Sequence, residues 1–165
     1  MSVSSQSQPQ LPPTGAITPK TALKATTEQW FEYPIKVQPH HTDYSGAVWH
    51  GTYLTWMESA RVDYWQSMGI DFAELVKLGC DLPVVELSLR YHQAIRLGQE
   101  IIVKTRMNEI AGVRLNFDYR IDSPNAKELY VSGKVTLVAI DLEKGKIMRQ
   151  LPPAVQDILV KLIQS

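Results

Sequence analysis

His40-His41-Thr42-Asp43-Tyr44-Ser45-Gly46-Ala47-Val48-Trp49-His50-Gly51-Thr52-Tyr53-Leu54 is the densest run of reactive side chains in the sequence. Ser45-Gly46 marks a turn within it. Beyond it, Tyr53, Leu54, Met57, Arg61, Tyr64, Trp65 and Met68 recur every three or four residues, which predicts a long helix stopped near Gly69. The reactive run is therefore a loop that feeds a helix N-terminus. The first turn of a helix carries free backbone N–H groups and partial positive charge. Such a site can polarise a carbonyl, and losing one oxyanion donor typically costs about 3 kcal/mol of barrier. Asp43 is the only acid between Glu32 and Glu58. A carboxylate there could attack a carbonyl or activate water. It could equally serve as an Asx-turn cap, and chemistry alone leaves the two open.

Upstream of the loop, Phe31, Tyr33, Ile35 and Val37 alternate with polar residues or proline, a half-buried strand. Pro34 and Pro39 place it at a sheet edge or a strand end. Downstream of the helix, Asp71 to Gly79 allows a second, shorter helix. Four strands then follow, around Val85–Tyr91, Ile101–Met107, Val113–Ile121 and Leu129–Leu137, separated by turn residues such as Ala111-Gly112 and Ser123-Pro124-Asn125. Short connections favour antiparallel pairing. One long helix must serve about five strands, so the economical α+β arrangement is an antiparallel sheet curled around a central helix. Pro153 to Ile163 carries a last amphipathic helical stripe, suited to the sheet or to a neighbouring subunit.

Residues 1–28 are expected to form a disordered tail and 29–165 a single folded domain. Met1 to Thr27 is rich in Ser, Gln, Thr and Pro and has no acid. Such a segment buries too little apolar surface to offset its ordering entropy. An organelle transit peptide is the alternative, weakened by the lack of Arg. The chain has 165 residues, 44% hydrophobic and 21% charged, with 17 basic and 17 acidic side chains. That balance speaks against a nucleic-acid partner or a polybasic membrane anchor, and no apolar run reaches the roughly 20 residues of a membrane span. The lone Cys80 excludes an internal disulfide and suits the cytoplasm.

The segment Thr42-Asp43, Ser45-Gly46, Val48-Trp49-His50, Gly51-Thr52-Tyr53-Leu54 and Glu58-Ser59-Ala60-Arg61 resembles the signature of the 4-hydroxybenzoyl-CoA thioesterase family of hotdog proteins. The likeness includes its Tol-Pal-associated acyl-CoA thioesterase branch. It runs from about Trp30 to Pro152 without gaps in the motif. It implies a hotdog fold and hydrolysis of acyl-CoA thioesters in a homodimer or homotetramer, with no cofactor. By the same resemblance Asp43 is the catalytic carboxylate, and His50 contacts the thioester region. Trp49, Gly51, Thr52 and Tyr53 then bind substrate, with Trp56 as a further pocket residue. Glu58 is a weaker candidate, because related enzymes use a helix Glu; a surface ion pair with Arg61 is its simpler reading. Two positions depart from the pattern. His41 stands where many relatives carry an acid, and Thr52 replaces the usual Asn.

Other chemistries fit less well. There is no Gly-rich phosphate loop and no dinucleotide-type strand–helix alternation. His40, His41, Asp43 and His50 cluster in sequence, but adjacent histidines on an extended chain face opposite ways, so no metal is expected. A non-catalytic acyl-CoA-binding hotdog protein remains the alternative to the enzyme.

Overall fold

The computed structural model describes residues 22–26 and 28–164. Its main sheet is antiparallel. Strand β2 (Phe31–Lys36) pairs with β5 (Glu100–Ala111), followed by β6 (Arg114–Asp122), β7 (Leu129–Val138) and β4 (Val84–Tyr91). The helix α1 (Thr52–Ser67) lies against the inner face of this sheet. This is the sheet curled around a helix that the element order implied, and the hotdog fold that the resemblance implied.

The strongest alternation in the sequence gives the strand at the sheet's centre. Leu115, Phe117, Tyr119 and Ile121 of β6 turn inward and are all buried. Residues of β5 and β7 pair with them residue by residue, as in Met107↔Phe117 and Phe117↔Val135. On α1, Tyr53, Trp56, Met57, Ala60, Arg61, Tyr64 and Trp65 are buried. Leu54, expected in the same stripe, is 40% exposed. Gly133 sits where β7 passes β4; a Cβ there would press on Leu89 and on the Ser88 carbonyl.

Pro34 lies on an edge strand, since among the described residues β2 pairs only with β5. The short helix α2 (Phe72–Lys77) is capped by Asp71, whose carboxylate accepts from the Ala73 amide. The C-terminal helix α3 (Pro153–Gln164) packs on β5, burying Val155, Leu159, Leu162 and Ile163. Its Leu162 carbonyl also accepts from the Tyr64 hydroxyl.

Three features escaped the sequence pattern. Cys80–Asp81 (β3), Ile140–Asp141 (β8) and Lys146–Ile147 (β9) form a small second sheet. Cys80 is thus a buried strand residue, and burial pushes its thiol pKa up. The third concerns the tail. Leu23–Lys24 (β1) pair with Ile110 and Glu109 of β5, and the Ala25 amide donates to the Asn108 carbonyl. These residues fall within the stretch 1–28 expected to form a tail. Past Thr105, β5 has an edge that β2 does not cover, and backbone pairing fills it whatever the side-chain composition. Residues 1–21, the bulk of that tail, lie outside the described residues. Among the described residues no helix is long and apolar enough to cross a membrane.

Candidate active site

The loop from Thr42 to Val48 closes on itself before it enters α1. Thr42 and Val48 form an antiparallel bridge, the Asp43 amide donates to the Ala47 carbonyl, and the Trp49 amide donates to the His41 carbonyl. Gly46 turns the tip at φ +77°, where L side chains are strained. The tip is tied to the body by the Leu97 amide on the Gly46 carbonyl and the Val48 amide on the Ile95 carbonyl. The short helical turn Pro39–His41 before the loop carries His41, whose Nδ1 accepts from the Gln38 amide at 2.9 Å. The His41 ring meets Trp56 edge-on, and burial, then the neighbouring His40, lowers its pKa. With Nδ1 accepting from the Gln38 amide and its ring against Trp56, His41 is held as a structural post.

Asp43 is exposed. Its Oδ1 accepts three hydrogen bonds: from the Ser45 hydroxyl at 2.7 Å, the Ser45 amide at 2.9 Å and the Ala47 amide at 3.2 Å. All three fall on one oxygen, so Oδ2 is left uncommitted. The Ser45 hydroxyl is the main reason its pKa lies below the usual Asp value; the Ser45 and Ala47 amides and Arg96 act the same way, against a smaller upward push from burial. The Asx-turn and a reactive carboxylate are thus compatible at this residue.

The other arm of the loop delivers the helix start. The Thr52 amide donates to the Trp49 carbonyl and the Leu54 amide to the Gly51 carbonyl, whereas the amides of His50 and Gly51 donate to nothing among the described residues. The Gly51 position lacks a side-chain cap. The Trp49 ring lies where a Cβ at 51 would stand, so any larger residue would have to displace that exposed ring. Thr52 pins the loop to the helix by donating its hydroxyl to the His41 carbonyl at 3.0 Å. The replacement of Asn thus keeps a tether at this position. Tyr91, at the end of β4, donates its hydroxyl to the His50 carbonyl at 3.0 Å. It was legible only as one more aromatic in an alternating strand, because the contact spans 41 positions.

The other expected site residues divide by exposure. Trp49, 53% exposed, lies beside His50, with ring centroids 4.7 Å apart, and His50 is exposed too. Tyr53 and Trp56 are buried in the core, packed edge-on against each other. Glu58 is exposed but does not pair with Arg61. Arg61 points inward, 7% exposed, and donates to the Tyr119 hydroxyl at 2.9 Å. The i, i+3 ion pair read from the sequence is therefore corrected: the helix rotation set by Met57, Ala60 and Tyr64 carries Arg61 into the core. No three His, Cys, Asp or Glu side chains among the described residues come together as a metal site.

The profile of the thioesterase-like superfamily matches residues 37–161. The chain belongs to the thioesterase-like superfamily. A Synechocystis protein provisionally named an esterase is 57% identical over 166 residues, covering 98% of this chain and all of that one. A Bacillus subtilis protein provisionally named an acyl-CoA thioesterase is 30% identical over 112 residues, covering 68% of this chain and 80% of its own. Among solved structures, the DHNA-CoA thioesterase of Staphylococcus aureus superposes with a TM-score of 0.71 at 28% identity, covering 80% of this chain and 89% of that one. Within this superfamily, the loop described here and the start of α1 both fall inside the matched region.

Proposed function

We propose that the chain hydrolyses acyl-CoA thioesters to a free acid and coenzyme A, with Asp43 as the catalytic carboxylate. One observation carries this reading. A single closed loop holds a carboxylate with one free oxygen on its first arm and presents two unpaired amides, His50 and Gly51, at the end of its second. The amides would hold the thioester oxygen as charge develops on it. Asp43 would draw a proton from the water that attacks the carbonyl and pass it to the departing sulfur, so that coenzyme A leaves as the thiol. Or it would attack the carbonyl itself, coenzyme A leaving as a thiolate that takes a proton from solvent; water would then hydrolyse the mixed anhydride to the free acid and restore Asp43. His50 and Trp49 would flank the thioester, with Gly51 and Thr52 shaping its approach. The chemistry requires no cofactor. The motif spacing supports a place beside the 4-hydroxybenzoyl-CoA thioesterases and their Tol-Pal-associated branch. A buried, unreactive Cys80 accords with a cytoplasmic location.

The reading includes a second copy of the chain. Asp43 is open to solvent in the single chain, and a site of this kind works best when water is excluded. Among the described residues β4 pairs only with β7, which leaves its other edge free. Along it Val84, Val85, Leu87 and Tyr91 are each 45–50% exposed. A free apolar edge is a ready template for strand pairing. Pairing two copies there gives a homodimer that can cover both loops; further association would give the tetramer.

Trapping released thiol with a panel of acyl-CoA substrates tests the enzyme. Asp43→Asn keeps the Oδ1 acceptor and removes the charge, so turnover should fall at least ~100-fold with the fold intact. Near-normal turnover in that variant would end the mechanism. A non-catalytic acyl-CoA binder is favoured by one observation, the full exposure of Asp43 in a satisfied turn. It predicts acyl-CoA binding with no thiol release.

A further inference from the structure

Arg61 is a buried cation without a counter-ion. Its Nη1 donates to the neutral Tyr119 phenol, its Nε has no partner, and among the described residues no carboxylate lies within ion-pair distance of it. Lys104 and Arg106, the other cations of low exposure, each have one: Asp122 at 3.1 Å and Asp118 at 3.3 Å. A guanidinium cannot shed its proton, and a buried charge left unpaired is strongly unfavourable. Besides Tyr119, Arg61 meets the Phe117 ring, 6.0 Å from its Cζ, and a carboxylate would still complete the site.

Arg61 forms part of the wall of a cavity of about 220 Å³ between α1 and β4. Leu54, Met57, Leu87 and Val135 give it apolar sides, and the exposed Glu58 borders it. The volume lies below the roughly 300 Å³ at which pockets for whole drug-sized ligands begin; it suits an acyl group. At 1.5 Å rise per residue, Leu54 stands ~6 Å along the helix from His50 and Arg61 ~16 Å. Helical side chains lean toward the N-terminus, which brings the guanidinium back toward the amides.

The geometry points to Arg61 as a specificity-determining residue for acyl groups that end in a carboxylate, the monothioesters of dicarboxylic acids with coenzyme A. This rests on the thioesterase reading above. With Nη1 engaged by Tyr119 and Nε enclosed, Nη2 is left to donate a charge-assisted bond to a carboxylate. The apolar sides take the methylenes between the two ends. Glu58 opposes an entering anion, since its charge reaches the buried Tyr119 phenol, and the preference to be measured is net of that repulsion.

The test pairs substrates of equal length: adipoyl-, suberoyl- and sebacoyl-CoA against hexanoyl-, octanoyl- and decanoyl-CoA. kcat/KM is measured in the wild type, Arg61→Lys and Arg61→Met, and binding of the same six is measured to Asp43→Asn. At one length or more the wild type should favour the carboxylate at least tenfold. Arg61→Met should bring that ratio to about one, and Arg61→Lys should keep part of it. No carboxylate preference at any length, in hydrolysis or in binding, would overturn the assignment; so would a preference that survives Arg61→Met. Absence of hydrolysis with all six would instead remove the thioesterase reading, while the binding ratio still decides on Arg61. If Arg61→Met does not fold, the wild-type ratio and Arg61→Lys decide it.

Discussion

The two ends of α1 are equally aromatic and physically opposite. At its C-terminal end Trp65 is fully buried, stacked on Phe72 at 4.6 Å and near Phe117 at 6.2 Å, and Tyr64 is tied to α3. At its N-terminal end Trp49 and His50 stand in the open, beside amides that lack partners. Exposed donors and exposed aromatic surface together are where a ligand can be met, whereas the unpartnered indole N–H of Trp65 is sealed from any. The sealed end holds the helix in place so that the open end can face a substrate. The comparison predicts that substitutions at the first end move stability and those at the second move rate.

The largest effect belongs to the sealed end. Trp65→Ala should cost about 3–5 kcal/mol, read as a lower midpoint in urea. A small loss would mean that the core around Phe72 and Phe117 closes over the hole. At the open end Asp43→Asn should raise the barrier by about 2.7 kcal/mol, the equivalent of a hundredfold loss of kcat. Its unfolding midpoint should stay within about 0.5 kcal/mol of wild type, as for a surface position. A variant that lost both stability and rate would erase the contrast between the two ends.

Thr52→Val sits between these extremes. It removes the hydroxyl that ties the helix start to the His41 carbonyl, a bond worth about 1 kcal/mol. The loop carrying Asp43 should loosen against the amides, so kcat should fall by more than the stability loss accounts for. Equal, small changes in both would make the tether structural only.

What the sequence made legible follows the length of the pattern. Ten residues of alternation at Val113–Asp122 placed β6, and four helical turns from Tyr53 to Met68 placed α1. The loop motif located Asp43, His50 and Gly51 on either side of one turn. Two-residue strands such as β3 and β9 have no period to read, so they were missed. Arg61 was legible as part of the helix stripe, yet a charged residue three positions from Glu58 reads more simply as a surface pair. Its burial depends on which side of α1 faces Tyr119, and that is a matter of tertiary packing. Tyr91 on the His50 carbonyl is of the same kind.

The smallest effect is the most specific. Asp43 must be ionised to attack or to take a proton, so the acid limb of kcat/KM reports its pKa in the free enzyme. That pKa is depressed, chiefly by the Ser45 hydroxyl. The limb should therefore lie below the ordinary Asp value of about 3.9, with activity lost only as pH falls through the lowered value. Linkage carries the same sign: a depressed carboxylate stabilises the fold above its unfolded pKa and ceases to as pH drops through the folded one. Because Asp43 is exposed, the shift belongs in the kinetics rather than in the unfolding curve. Ser45→Ala leaves the two amide bonds and removes the hydroxyl, so the limb should move up toward the ordinary value while the plateau rate changes little. The measurement is a pH–rate profile on samples shown by circular dichroism to remain folded. A limb that stays where it was in Ser45→Ala would belong to another group, and the open end of α1 would lose its claim to the catalytic acid.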